Sequence, residues 1–84
     1  MALMVLELRL AGMSYREAVT RTANVPGAAR EESTVKAAWA EHKREAMLEL
    51  RLRRAAADQE WTSDELAQLK KIFPKDEFVG HKLP

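Results

Sequence analysis

From Ala28 to Glu60 the chain runs without a Pro or a Gly, through "AAREESTVKAAWAEHKREAMLELRLRRAAADQE". Ala, Glu, Lys and Arg dominate the stretch, and these residues lose little on entering a helix. A long helix is therefore predicted, starting either near Ala28 or at a cap on Ser33. Trp39, Ala46, Leu50, Ala57 and Trp61 follow one another at steps of seven and four, which places them on one stripe of that helix. Met47 and Arg54 border the stripe, and Arg54 can lay its aliphatic stem along the apolar surface.

The pentapeptide "LELRL" complicates this picture, because its leucines alternate with charges in the period of a strand. It occurs at Leu6–Leu10 and again at Leu48–Leu52. A short strand is the competing reading of the second copy, but the helix-forming context favours helix for both. In a helix Leu48 and Leu52 point away from Leu50, so they form with Met47 an expected dimer or partner surface. The residues around the two copies do not match further, and no internal repeat is inferred.

The remaining segments read as shorter helices. Leu3, Leu6 and Leu10 share one face, widened by Met4 and Leu8, and Gly12 is placed to terminate the helix, over about residues 2–11. "SYRE" from Ser14 to Glu17 reads as a capping box that opens a second helix at Tyr15. That helix fades through "RTANVPG", where Pro26-Gly27 signals a turn. Near the C-terminus Thr62 to Glu65 is a second capping box, with Trp61 and Leu66 as a hydrophobic staple. Leu66, Leu69, Ile72 and Phe73 give this last helix an apolar face, and Pro74 ends it. Phe78 and Val79 are candidates to dock on the core. The expected fold is all-α: a small bundle of about four helices with one long helix, in a single domain over 1–84. Residues 2–45 form one part of it, and 46–84 form the long-helix extension and capped closing helix.

Length and composition narrow the function classes. A chain of 84 residues with no Cys has neither disulfides nor thiolate metal sites to reinforce a small core, so oligomerisation is the expected reinforcement. The lack of Cys fits a cytoplasmic protein. A net charge of +1 excludes a histone-like basic tail but allows a local basic face. The apolar start "MALMVLELRL" has no basic region before it and carries Glu7 and Arg9, so it is not read as a signal peptide. No run is long enough to span a bilayer. His42 and His81 are far apart and form no H-E-x-x-H arrangement, and Gly12, Gly27 and Gly80 are isolated rather than a phosphate loop. Glu41, Glu45 and Glu49, with Lys43, Arg44 and Arg53 nearby, read as a solvated face. No enzyme, metal or cofactor is expected.

One ordered set of residues points elsewhere. Leu6 and Leu10, then Gly12-Met13-Ser14-Tyr15-Arg16-Glu17-Ala18, Val25, and Ser33-Thr34-Val35-Lys36 follow one another over about half of the chain. This succession resembles the helix-turn-helix of sigma-factor region 4 and related bacterial and phage regulators. The N-terminal half would then be helix-turn-helix-like. The chain departs from the family in the turn, where "PGAAREE" adds residues between Val25 and Ser33. Either the loop is extended, or the third helix begins early and "STVK" does not open it. The C-terminal "EWTSDELAQLKKIFP" is similar to the first helix of a Myb/SANT-type domain, which implies packing of Trp61 and Phe73 and phosphate contacts from Lys70 and Lys71.

The first resemblance implies a sequence-specific protein that binds double-stranded DNA and regulates transcription, and the long helix around Met47–Ala57 is expected to join two copies as a homodimer. Ser33, Thr34, Lys36 and Ala37 would lie near bases in the major groove. Arg16, Arg30, Lys43 and Arg44 would lie at phosphates, with Val35 and Trp39 in the core. The alternative is a helical interaction module, an adaptor, antitoxin-like partner or inhibitor, that binds another protein through Met47, Leu48 and Leu52.

Overall fold

A computed structural model describes residues 1–74, and the expected docking of Phe78 and Val79 lies outside them. Four helices follow one another: α1 (Ala2–Leu10), α2 (Tyr15–Ala23), α3 (Glu32–Ala56) and α4 (Ser63–Ile72). No strand occurs among the described residues, so both "LELRL" copies are helical. The chain is a small all-α bundle.

Local signals account for most of the helix ends. Past Leu10, Gly12 takes a positive φ of 105°. The Gly12 N–H then donates to the Arg9 carbonyl at 3.0 Å and the Met13 N–H to the Leu8 carbonyl at 3.2 Å. These two bonds satisfy carbonyls the helix leaves open, the Schellman arrangement for which glycine is best suited. Ser14 Oγ accepts from the Glu17 N–H at 3.2 Å and opens α2. At Thr62 both halves of the capping box are made: the Glu65 N–H donates to Thr62 Oγ1 at 3.1 Å, and the Thr62 N–H to Glu65 Oε1 at 3.0 Å.

The ends of α3 differ from expectation. It starts at Glu32, with Glu31 as the cap residue and no side-chain cap bond, so neither Ala28 nor a Ser33 cap opens it. Gly27 adopts a positive φ of 80°, and the Arg30 N–H donates to the Ala23 carbonyl at 2.8 Å. The turn and this bond hold residues 24–31 as an extended loop, so "STVK" does lie in the opening turns of α3. At the other end α3 stops at Ala56, and Ala57 is exposed beyond it rather than on the buried stripe. Asp58 takes φ 54°, while the Asp58 N–H reaches the Ala55 carbonyl (3.2 Å) and the Gln59 N–H the Arg54 carbonyl (2.9 Å). This is a second Schellman arrangement, with aspartate where glycine is commonest. Left-handed backbone costs a non-glycine residue about 1 kcal/mol, less for Asp than for most. Asp58→Gly is therefore expected to raise stability by about 0.5 kcal/mol, read as a higher midpoint in urea with an unchanged slope.

α1 is the organising element and touches each of the other three helices. It is apolar on nearly all sides, as a helix enclosed by others should be. Val5 and Leu6 are fully buried at its centre. Ala18, Val19 and Ala23 come from α2, Val35, Trp39, Ala46, Met47 and Leu50 from α3, and Leu69, Ile72 and Phe73 from the end of α4. Met47 is thus a core residue, which corrects its expected place on a dimer or partner surface. It lies seven residues from Arg54 on one line of α3, and Arg54 pairs with Glu65 of α4. α3 packs chiefly on α1, and the flexible thioether of Met47 is wholly enclosed in the core these helices share. Leu66 is also corrected: it remains 39% exposed, outside the core. Trp61 packs against the core with the Arg54 guanidinium 4.5 Å from its ring centroid.

Candidate nucleic-acid interface

The N-terminal half of α3 presents the residues expected to read DNA. Ser33, Thr34, Lys36 and Ala37 are all exposed, while Val35 and Trp39 between them are buried. This alternation follows from the helical repeat of about 3.6 residues, with the core taking positions 35 and 39. Ala40 is exposed as well, so small side chains sit beside Lys36 and leave room for close approach.

Charge is segregated around α3. Lys36 and Lys43, seven residues apart, lie along one flank, with Arg44 and Arg51 just outside that line. Glu41, Glu45 and Glu49 step by four along the opposite flank. There Glu45 lies 3.4 Å from His42 Nδ1, and Arg53 reaches both Glu49 (3.5 Å) and Glu7 (3.9 Å). The near-neutral total charge thus conceals a basic side and an acidic side.

Tertiary packing sets parts of other helices beside this stretch of α3. Trp39 lies on α3 between the two lysines, and its ring centroid is 6.4 Å from that of Tyr15 and 6.3 Å from that of Phe73. The Tyr15 contact brings the first turn of α2, with exposed Arg16, to the level of Trp39. The Phe73 contact does the same for the last turn of α4, with exposed Lys70 and Lys71. Spacing alone could not show that these lysines share a level of the bundle with Lys36 and Lys43, because more than twenty-five residues separate them. Arg30 is exposed in the loop leading into α3.

Two features limit the surface. The start of α3 carries exposed Glu31 and Glu32; Glu32 accepts from the Thr20 hydroxyl at 3.2 Å, and Glu31 from the Ser33 hydroxyl at 3.5 Å. Negative charge there sits well on the helix dipole but opposes phosphate. Arg9 is directed inward, its guanidinium 5.4 Å from the Tyr15 centroid and 5.9 Å from that of Trp39. Burial lowers its pKa, and neighbouring Tyr15 partly offsets the effect. Its role is to close the aromatic cluster rather than to meet solvent.

The other site expected from sequence, the leucine surface, retains Leu48 and Leu52, exposed at 42% and 72%. They border an open groove of about 610 Å³ that also takes in Met1, Leu3, Ala38 and Glu45. Among the described residues no cluster of His, Asp and Glu is placed to hold a metal ion, and no helix is long and apolar enough to cross a membrane. Comparison with known proteins yields no matching family model, no matching curated protein and no matching solved structure.

Proposed function

We propose that the protein binds double-stranded DNA through the exposed N-terminal half of α3 and serves as a small transcriptional regulator. The observation that supports this reading most is the separation of charge around α3, with Lys36 and Lys43 beside the small residues Ala37 and Ala40. A major groove admits one helix, and small or hydroxyl side chains at its centre allow base edges to be reached. Ser33, Thr34, Lys36 and Ala37 take that central position. Arg16, Arg30 and Lys43, joined by Lys70 and Lys71, contact the phosphates on either side. These contacts set register and much of the affinity, while the central residues discriminate sequence. The eight-residue loop of 24–31 departs from a tight helix-turn-helix, so α2 sits differently across the backbone than in the regulators the sequence resembles.

The test is binding to a labelled mixed-sequence duplex at about 50 and 200 mM salt, where several phosphate contacts should cost a hundredfold or more in affinity, roughly. Lys36→Glu is expected to weaken binding at the lower salt by about tenfold or more and to flatten the salt dependence. Its exposed position means the thermal melt should be unchanged. No binding of the wild type at low salt would sink the proposal.

A further inference from the structure

The side of α3 that faces away from the core carries a seam of its own. Buried Ala46, Met47 and Leu50 define the inward arc. Opposite them, Leu48, Leu52 and Ala55 recur at steps of four and three, the spacing of a coiled-coil seam. All three are exposed. The seam is flanked asymmetrically: Arg44 and Arg51 lie along one edge, and Glu49 with His42 along the other, beside the apolar groove that reaches Met1 and Leu3.

We infer that this seam pairs with that of a second copy of the chain, the two α3 helices running parallel. The charge pattern selects both the occupant and its direction. In a parallel two-fold pair, the arginine edge of each helix meets the glutamate edge of its partner. Arg44 then faces Glu49 of the other copy, and the same contact repeats across the axis. In an antiparallel pair like edges meet, arginine against arginine and Glu49 against Glu49, which is unfavourable. Glu41 and Glu45 continue the seam toward the N-terminus and would face their own counterparts. Apolar contact is therefore confined to the stretch from Leu48 to Ala55, with the Arg44–Glu49 pairs at its N-terminal edge, and Ser33–Ala37 stays outside it. Arg44 is engaged by the partner in this dimer, which leaves Lys43 as the phosphate contact of α3 beside the base-reading residues. The pairing does not depend on DNA binding and can be tested without DNA.

The chain contains no Cys, so single cysteines report the geometry directly. Leu48→Cys and Ala55→Cys are each oxidised separately, with sedimentation of the wild type in parallel. In the parallel pair both positions lie against themselves, within the reach of a disulfide, so both variants should cross-link with themselves in high yield. An antiparallel pair would cross-link at one position at most, and a monomer at neither; either result overturns the inference. Leu52→Glu should weaken self-association by about tenfold or more while preserving the helical spectrum and melt, because this leucine contributes nothing to the monomer core. A sedimentation profile that Leu52→Glu leaves unchanged would equally overturn it.

Discussion

Trp39→Ala is expected to remove about 3–5 kcal/mol of stability, the range for truncating a buried Trp. Trp39 is 7% exposed and sits where three other segments converge. Tyr15 at the start of α2, Phe73 at the end of α4 and the Arg9 guanidinium of α1 all lie within 6.4 Å of its ring. Truncation would open a cavity the other helices cannot collapse into, because each is held by its own contacts with α1. It would also leave the half-buried Arg9 without one of its two aromatic faces, in a site whose burial already lowers its pKa. A domain of this size is stable by about 5–10 kcal/mol, so the loss is a large share of the total. The melting midpoint should fall by about 15 °C or more. Trp39→Phe keeps an aromatic ring and should recover most of that loss. A thermal melt by circular dichroism decides it: a Trp39→Ala midpoint within a few degrees of wild type would refute this account of the core.

Acid should weaken the fold through one carboxylate. Glu65 is 16% exposed and lies against Arg54, 21% exposed, in a two-pronged contact that includes a 3.0 Å bond from Arg54 Nη1 to Glu65 Oε1. Arg54 also donates to the Glu60 carbonyl at 3.3 Å, so its fork ties α3, the connecting loop and α4 together. The hydrogen bond from Arg54, helped by those from Thr62, holds the Glu65 carboxyl at about 2, against an ordinary value of 4.5. A folded pKa below the unfolded one means stability that is fully present above about pH 4.5. It is lost as pH falls toward 2, because the unfolded chain takes up the proton first. Allowing for partial solvent screening, the contribution is about 2 kcal/mol. Glu65→Gln should therefore lower stability at pH 7 by about that amount and flatten its pH dependence between about 4.5 and 2. Urea titrations at pH 7, 4 and 3 test this. A wild type whose midpoint did not move across those values would show that the pair contributes nothing to stability.

Much of the fold was legible because its signals are local. Gly12 ended α1, Ser14 opened α2, and Thr62 with Glu65 opened α4, each through bonds between residues three to five apart. The division of α3 into buried Trp39, Ala46 and Leu50 and exposed Leu48 and Leu52 followed from the helical repeat. The exposure of Ser33, Thr34, Lys36 and Ala37 followed in the same way, since Val35 and Trp39 were read as core. The stop at Ala56 was not legible: Asp58 supplies a left-handed residue without glycine, and nothing in its immediate neighbours announces it.

What the sequence by itself determined is helical character, most of the caps and the sides of each helix, because backbone hydrogen bonding and periodicity act between near neighbours along the chain. What only the tertiary structure decided is how each border position is used. Met47 became core because the packed helices enclose its side of α3, and Leu66 stayed outside although it shares a helix with Leu69 and Ile72. Lys70, Lys71 and Arg16 came level with Lys36 and Lys43 only through the meeting of Tyr15, Trp39 and Phe73. Burial and proximity depend on which distant segments converge, and no local pattern encodes that.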